Sequence, residues 1–286
     1  MEENKRTELN FIAAKARRSA LEMVYRAHSG HLGGSFSLCE ILSVLYFDTM
    51  KIDPSAPSDP NRDRFVLSKG HCTPALYSIL AMRGYFPEAL LSTFRDIDSP
   101  LSGHAEMRHV PGVDMSTGSL GQGISAAVGM ALAAKVDKKE YRVYAVLGDG
   151  ELEEGQVWEA AMAAGHYGLD QLCVFVDNNN IQIDGTLEQI MSPYPIDKKF
   201  AAFGWNVEYC DGHNVESIHE ALQKAKVVQG KPTVIIATTV KGKGVSFMED
   251  TNEWHGNDPD ADQYAVAAQE LDALVQKASR EVQANE

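Results

Sequence analysis

The sequence predicts an α/β protein, a single domain over residues 1–286 in which a parallel sheet carries helices on both faces. Short apolar runs alternate with amphipathic helical patterns from residue 141 onwards, which is the order expected of parallel strands joined by crossover helices. These runs are nearly continuous in apolar residues, as in strands that are buried on both faces. The 286 residues, 44% of them hydrophobic, suffice for a full core.

The first half of the chain is predicted to be mainly helical. Helical spacing of apolar residues defines its helices, Gly84 ends one of them, and the run RFVLS indicates a first strand. The stretch rich in Pro, Asp and Ser before that strand is too short for a linker between domains and indicates turns. The predicted helices span residues 7–27, 38–50, 71–84 and 119–135, and the strand spans 64–68.

The second half alternates regularly between strands and helices. Each apolar run is followed by an amphipathic segment, and no internal repeat or low-complexity segment interrupts the order. The predicted strands span 141–148, 171–176, 205–210 and 232–239, and the predicted helices span 155–168, 197–204, 215–225 and 261–284.

Composition excludes several classes of function. A net charge of -14 argues against binding nucleic acid or an anionic membrane through a basic surface. We also expect no signal peptide and no membrane span, because no apolar run is long enough, and therefore a cytoplasmic protein. The cysteines have no CxxC pair, so we expect buried reduced thiols at Cys39, Cys72, Cys173 and Cys210.

Two polar motifs follow neighbouring predicted strands, GDGELEEG and DNNN. Neither a GxGxxG fingerprint nor a P-loop is present, and an acidic loop would repel a bare diphosphate. A shared magnesium ion resolves this conflict, with Asp149 and Asn179 as oxygen ligands at the carboxyl edge of the sheet. The alternative is an ordinary turn in which Asp149 and Glu154 accept from backbone donors at a helix start.

Taken together with further motifs, this pair of motifs resembles transketolase, specifically its N-terminal, diphosphate-binding part. The resemblance covers nearly the whole chain and is carried, in family order, by SGHLGGSFS, DRFVLSKGH, SGHAEMRHVPGVDMSTGSLGQGIS, GDGELEEGQVWEAA, DNNNIQIDG and EWHG. It implies thiamine diphosphate as cofactor with Mg²⁺, for which Ca²⁺ or Mn²⁺ can substitute. It also implies that the metal ligands are Asp149, Asn179 and the backbone carbonyl of Ile181.

The same resemblance implies contacts with the rest of the cofactor. Gly150 matches a backbone contact to the diphosphate, Gly118 and Leu120 match the loop beside the aminopyrimidine, and Ile183 matches an apolar contact to the rings. Glu154 matches a glutamate at the family's dimer interface, and its alternative is a helix N-terminal acid. The cofactor-binding residues implied in all are His71, Gly118, Leu120, Gly150, Glu154, Ile183, Lys241 and His255.

Six of the nine histidines lie beside glycine, which indicates loops: His31, His71, His104, His166, His213 and His255. His166 falls inside a predicted helix and His213 at a helix start, so structural roles are favoured for both. The other four match active-site histidines of transketolases. Ketol transfer moves protons on and off hydroxyl groups near neutral pH, where imidazole works best.

The resemblance implies a role for each of these four histidines. His31 and His255 would serve proton transfer at the donor carbonyl and hydroxyl. His104 would hold a hydroxyl of the transferred fragment, and His71 would bridge cofactor phosphate and substrate. The lysines of SKGH and KGKG, Lys69 and Lys241, are open between a phosphate contact and simple solvation.

Two departures from full-length transketolases define the expected assembly. The chain has GHLGGSFS and KGKG where those enzymes have GHPGAPLG and IGYG, as in transketolases encoded as two subunits. The resemblance implies that the pyrimidine-binding and C-terminal domains belong to a separate subunit, so we expect a heterotetramer with that C-terminal subunit, acting on sugar phosphates. Alternatives are a subunit of a related thiamine diphosphate enzyme, such as a deoxyxylulose-phosphate synthase, a 2-oxo-acid dehydrogenase or a transketolase for an unusual ketose, and a non-catalytic cofactor-binding module.

Overall fold

A computed structural model describes residues 1–285 and contains a five-stranded parallel sheet. The strands lie in the order β1-β2-β3-β5-β4. All four strand pairings are parallel. The strands are β1 (Arg64–Leu67), β2 (Val143–Gly148), β3 (Leu172–Asn178), β4 (Asn206–Asp211) and β5 (Thr233–Thr238).

Helices cover both faces of this sheet. The α-helices are α1 (Glu3–Ala27), α2 (Gly33–Phe36), α3 (Cys39–Val44), α4 (Thr73–Arg83), α5 (Gln122–Val136), α6 (Gly155–His166), α7 (Leu187–Ile190), α8 (Ile196–Ala202), α9 (Val215–Val227) and α10 (Ala261–Asn285). The predicted α/β class, with a parallel sheet between two helical layers, is confirmed.

The two helical layers follow from the period of two along each strand. On β2, Tyr144 and Val146 pack into a core formed with α1, α3, α4, α9 and α10. Val143, Ala145 and Leu147 point the other way, into a core formed with α5, α6 and α8. Because both faces are buried, the strand reads as a continuous apolar run rather than an alternating one.

Some predicted elements differ from the structure in extent. α1 begins at Glu3, earlier than predicted. The apolar pattern did not indicate this first turn because its residues are polar. In the structure an exposed ion pair joins Glu3 and Arg6 within that turn. The predicted helix 38–50 is divided between α3 and a π-helix, Leu45–Thr49. A bond from the Met50 N–H to the Leu45 carbonyl widens that last turn.

Two other expectations concern the cysteines and the membrane. Cys39, Cys72, Cys173 and Cys210 are free and buried, as predicted. Within residues 1–285, no helix combines the length and the apolarity needed to cross a bilayer.

The parallel arrangement brings the segments after β1, β2, β3 and β5 to one edge of the sheet. Register places Gly148 beside Asp177 and Asn178 beside Thr238. The two polar motifs at the ends of β2 and β3 therefore become neighbours, although about thirty residues of sequence separate them.

Candidate active site

A cavity of about 300 Å³ lies at the carboxyl edge of the sheet, where open parallel sheets bind their ligands. Most of the predicted site residues line it: His71, Leu120, Asp149, Gly150, Glu154, Asn179, Ile181, Ile183, Lys241 and His255. His31, Gly118 and His104 are not part of this lining, but the ring of His31 lies 5.0 Å from that of His71.

Asp149 follows β2 and is held by two backbone N–H groups. Its Oδ1 accepts from Gly150 at 2.9 Å, and its Oδ2 accepts from Asn180 at 2.5 Å. Burial raises the pKa of Asp149 to about 7, with the Asp177 carboxylate as the next cause, even though these bonds and Lys69 oppose the rise. A buried carboxylate of this kind favours a cation beside it.

Asn179 and Ile181 bring two more oxygen atoms to the same cavity. Asn180 between them has a φ of 63°, a left-handed conformation that asparagine tolerates and that turns the chain sharply. The Asn179 Oδ1 accepts from the Ile181 N–H at 3.2 Å. The Ile181 carbonyl accepts from Lys241 Nζ at 2.9 Å and keeps a second lone pair.

This set of donors fits a hard cation such as Mg²⁺, which prefers oxygen ligands and usually keeps phosphate or water in its shell. The described part of the chain has no group of three or more His, Cys, Asp or Glu side chains suited to a metal. A cation bound by one carboxylate, one amide and one carbonyl therefore needs further oxygen ligands from a bound phosphate or from water.

Lys69 and Asp177 form a buried ion pair close to the oxygen donors of the cavity. The sequence did not predict this pair. Both side chains are almost fully buried. Asp177 also accepts from Ser37 Oγ at 2.6 Å and from Thr239 Oγ1. Burial opposes ionisation of both groups, but the pair raises the pKa of Lys69 and lowers that of Asp177. The available signal in the sequence was Asp177 itself, an acid close to the end of the otherwise apolar strand β3.

Lys241 is buried and joins the two ends of the cavity. Its Nζ donates to the carbonyls of Ile181 and Gln182, at 2.9 and 3.1 Å. It also donates to His255 Nδ1 at 2.9 Å. Burial, and then the nearby charge of Lys69, lower the pKa of Lys241 to about 8. Simple solvation of this lysine, one of the alternatives left open by the sequence, does not describe it.

The four predicted histidines form one cluster with His31 at its centre. The His31 ring centroid lies 5.0 Å from that of His71, 6.1 Å from that of His104 and 5.5 Å from that of His255. Burial is the largest cause that lowers the pKa of each ring, to about 4 for His31 and about 3 for His255. All four rings are therefore neutral at pH 7, and those of His31, His71 and His104 can accept protons, whereas Nδ1 of His255 already accepts from Lys241.

Arg95 stands beside this cluster and is a second residue that sequence reasoning missed. Its positive charge is the next cause, after burial, that lowers the pKa of both His31 and His104. Its own Nε is buried without a hydrogen-bond partner in the described structure, and so is Nδ1 of His31. No motif marks Arg95, because it lies in an irregular segment before the SGHAEM motif.

Glu151 ties three segments of the cavity together and is a third residue that was missed. Its buried carboxylate accepts from Ser68 Oγ after β1, from the Gly121 N–H at 2.9 Å and from the Gly148 N–H at 3.1 Å. The sequence gives only a run of acids after GDG, and nothing in that run shows which acid turns inwards.

The loop predicted beside the aminopyrimidine packs against the histidines. Gly118 has a φ of 148°, and a Cβ there would lie 2.9 Å from Cδ2 of His104, so the close approach requires glycine. Glu154 lies at the N-terminus of α6, as expected of an acid favoured by the helix dipole, and forms no hydrogen-bonded cap there. Ile183 is 56% exposed at the cavity.

The two histidines with favoured structural roles lie away from the cavity. His166 is exposed at the end of α6. His213 accepts from the Val240 N–H at 2.8 Å and so donates through Nδ1 to Glu40 at 3.1 Å. His213 thereby fixes the start of the loop that carries Lys241.

Comparison with known proteins gives one family and close relatives. The family described as "Transketolase, thiamine diphosphate binding domain" matches residues 9–278. The chain is 49% identical to the "6-deoxy-6-sulfo-D-fructose transketolase subunit SqwG" of Clostridium sp. strain MSTE9, over 90% of this chain and 93% of that protein. It is 42% identical to an apulose-4-phosphate transketolase subunit of Phocaeicola vulgatus, over 96% of this chain and 97% of that protein.

Solved structures give the same fold. The transketolase from Leishmania mexicana superposes with a TM-score of 0.83 at 32% identity and matches 96% of this chain. That match covers 46% of the Leishmania chain. The present chain therefore spans less than half of that transketolase but nearly all of the two subunits.

Proposed function

Since this chain belongs to the transketolase family through its thiamine diphosphate-binding domain, we propose that it is the N-terminal subunit of a split transketolase. With a partner subunit it transfers a two-carbon ketol unit from a ketose phosphate to an aldose phosphate. The observation that carries this proposal is one cavity with oxygen donors at one end and neutral histidines at the other. Its near-complete match to proteins named as subunits supports the split form.

At the acidic end, the proposed metal ligands are Asp149, Asn179 and the Ile181 carbonyl. They would hold Mg²⁺, or Ca²⁺ or Mn²⁺ in its place, and the cation would supply positive charge for the diphosphate of thiamine diphosphate. Gly150 offers its backbone to that diphosphate. The second lone pair of the Ile181 carbonyl lets it serve a cation while it still accepts from Lys241.

The chemistry that thiamine diphosphate supplies when bound is a carbon nucleophile for a ketose carbonyl. Leu120 and Ile183 offer apolar contacts to its rings, Gly118 lies in the loop beside the aminopyrimidine, and Glu154 couples the site to a subunit interface. Lys241 orients His255 through its bond to Nδ1, which leaves the N–H of that ring on Nε2.

The histidines hold and move protons of the sugar. His31 and His255 serve the donor carbonyl and hydroxyl, His104 holds a hydroxyl of the transferred fragment, and His71 bridges phosphate and substrate. Because the rings are neutral at pH 7, His31, His71 and His104 can each accept a proton from a hydroxyl group. His255, whose Nδ1 accepts from Lys241, instead offers its Nε2–H to a substrate oxygen. The Nδ1 of His31, at the centre of the cluster, has no hydrogen-bond partner in the described structure and accepts when the proton of the ring is on Nε2.

The partner is proposed to be a C-terminal subunit with a pyrimidine-binding domain, in a heterotetramer. Large apolar side chains are exposed in the segment after β3, at Ile183, which lines the cavity, and at Ile190, Met191 and Tyr194. Clusters of this kind mark interaction surfaces. On α6, Ala160, Ala161 and Ala164 pack into the chain's own core, and Met162 on the opposite side is exposed.

The substrate has two candidates. A pentose phosphate such as xylulose 5-phosphate is the general substrate of the family. We also propose that the protein acts in the cytoplasm, a reducing compartment, because its four cysteines are buried free thiols. A transketolase for an unusual ketose is favoured by the relatives, which are named for a sulfonated ketose and for apulose 4-phosphate.

Reconstitution with the partner subunit tests this function. Purified chain, partner, thiamine diphosphate and Mg²⁺ should transfer a ketol unit from xylulose 5-phosphate or from 6-deoxy-6-sulfofructose to an aldose phosphate. The ratio of kcat/KM between the two donors identifies the ketose. Binding of the cofactor by the complex without ketol transfer to any aldose would contradict the proposal and favour a cofactor-binding module.

A further inference from the structure

A second cavity, of about 200 Å³, lies at the opposite edge of the sheet, where β1 and β2 begin. It takes no part in the candidate active site, since the two cavities share no lining residue. It is lined by Thr49, Lys51, Asp63, Glu140, Arg142, Tyr144 and Lys226.

Two buried hydroxyl groups line this cavity without a partner. Tyr144 is 1% exposed and Thr49 is 7% exposed, yet neither Tyr144 Oη nor Thr49 Oγ1 has a hydrogen-bond partner in the described structure. An unmatched buried hydroxyl costs roughly 1–3 kcal/mol. Two of them in one cavity indicate that a polar occupant completes the site.

The charges around the cavity indicate that this occupant is an anion. Lys51, Arg142 and Lys226 line it, and none of them forms an ion pair with any residue in the range 1–285. Burial is the largest cause that lowers the pKa of Lys226; the charges of Asp48 and Asp63 oppose this fall, and those of Arg142 and Lys51 add to it.

The acids at the cavity compensate these cations only in part, since three cationic and two acidic side chains line it. The buried carboxylate of Asp63 is occupied by the backbone, because its oxygens accept the N–H groups of Lys51 at 2.8 Å and Arg142 at 2.7 Å. Glu140 and Lys51 are both exposed and lie at the rim. Arg142 is fixed from the other side as well, since its Nη2 donates to the Lys226 carbonyl at 2.6 Å.

The local backbone also sets this place apart. Thr49 is the last residue of the π-helix Leu45–Thr49. π-Helical turns are rare and frequently occur at functional sites. Here the widened turn ends at one of the two unpartnered hydroxyl groups.

We propose that this cavity is a binding site for a phosphate-type oxyanion, held by the three cationic side chains and by the hydroxyls of Tyr144 and Thr49. A tetrahedral anion accepts several hydrogen bonds at once and matches a mixed set of ammonium, guanidinium and hydroxyl donors. The cavity has the volume of about six water molecules, which accommodates one phosphate group. Its mouth at Lys51 and Glu140 would leave a sugar attached to that phosphate outside.

Calorimetric titration of the full chain with inorganic phosphate tests the site. We expect saturable binding of one phosphate per chain. Tyr144→Phe, which keeps the ring, and Lys226→Met should each weaken it by about tenfold or more. Lys224→Met is the matched control on α9, because that side chain is 63% exposed and does not line the cavity. Lys241→Met, in the candidate active site, should leave this binding unchanged.

Three results would overturn the proposal. The first is the absence of saturable binding, which would mean that ordered water fills the cavity. The second is an affinity for phosphate in the Tyr144→Phe and Lys226→Met variants equal to that of the wild type. The third is loss of phosphate binding in Lys241→Met. Thermal unfolding of each variant shows that it is folded. A parallel titration with ribose 5-phosphate distinguishes the sources: tighter binding than inorganic phosphate identifies a sugar phosphate, and equal or weaker binding identifies free phosphate.

Discussion

The Nζ atom of Lys241 lies 2.9 Å from Nδ1 of His255, so one buried ammonium group joins the oxygen donors of the cavity to its histidine cluster. The same Nζ donates to the Ile181 carbonyl. His255 is therefore held as a neutral ring that accepts through Nδ1. The orientation of His255 and the position of the Ile181 carbonyl therefore both depend on the side chain of Lys241.

Replacing Lys241 should affect both ends. In Lys241→Met the pKa of His255 should rise, because the charge of Lys241 is the next cause after burial that lowers it. We also expect the affinity of the reconstituted complex for thiamine diphosphate to fall by about tenfold, through loss of charged hydrogen bonds. NMR titration of His255 and calorimetry measure these effects. Lys243→Met, in the same loop and 37% exposed, should change neither quantity, and an unshifted His255 in Lys241→Met would contradict the assigned contact.

Replacing Asp149 should change how stability depends on pH. Its folded pKa is about 7, above the ordinary 3.8. Its stabilising contribution is therefore fully present at low pH and is lost as pH rises through 7. Between pH 5 and 8, wild type without metal should lose on the order of 2–3 kcal/mol in free energy of unfolding relative to Asp149→Asn. Urea denaturation at both pH values measures this difference.

Adding metal and cofactor extends the Asp149 test. Mg²⁺ with thiamine diphosphate should restore the stability of the wild-type complex at pH 8, whereas Asp149→Asn and Asp149→Ala should bind the cofactor far more weakly. Unchanged affinity and unchanged metal dependence in either variant would show that Asp149 is not a metal ligand.

Replacing the histidines should lower turnover more than binding. His31→Ala and His104→Ala are expected to reduce kcat of the reconstituted complex by on the order of a hundredfold, since each removes a proton acceptor beside the substrate. Cofactor affinity should change less. His166→Ala is the control, because that ring is exposed at the end of α6. Near-normal kcat in both His31 and His104 variants would remove them from the site.

Arg95 should control the acid limb of activity. Its charge lowers the pKa of His31 and His104 in addition to burial. Arg95→Met should therefore raise both pKa values and move the fall in kcat/KM at low pH to a higher pH. Profiles of kcat/KM against pH for the two complexes measure this shift. The exposed Arg108 provides the control variant Arg108→Met, and identical acid limbs in Arg95→Met and wild type would contradict the assigned role.

The sequence predicted the parts of the fold and site that depend on local pattern. Apolar runs located the strands, and the carboxyl-edge rule brought Asp149 and Asn179 to one cavity. The limits of α1 and the π-helical turn were not predicted, because exposed polar residues carry no periodic signal and a widened turn depends on tertiary packing.

The site residues that were missed share one physical property. Asp177, Glu151 and Arg95 act through burial and through partners that are distant in sequence, such as Lys69 for Asp177 and Ser68 for Glu151. Nothing local separates a buried acid from the exposed acids beside it. Only the register of β2 against β3, and the loops above them, decides which carboxylate turns inwards.

The most direct test of the central claim is ketol transfer by the purified chain, measured alone and with the C-terminal partner at saturating thiamine diphosphate and Mg²⁺. We expect no turnover above background from the chain alone and restored turnover on addition of the partner, together with a rise in mass to that of a heterotetramer. Robust turnover by the chain alone would contradict the account, because a complete active site would then exist without a partner.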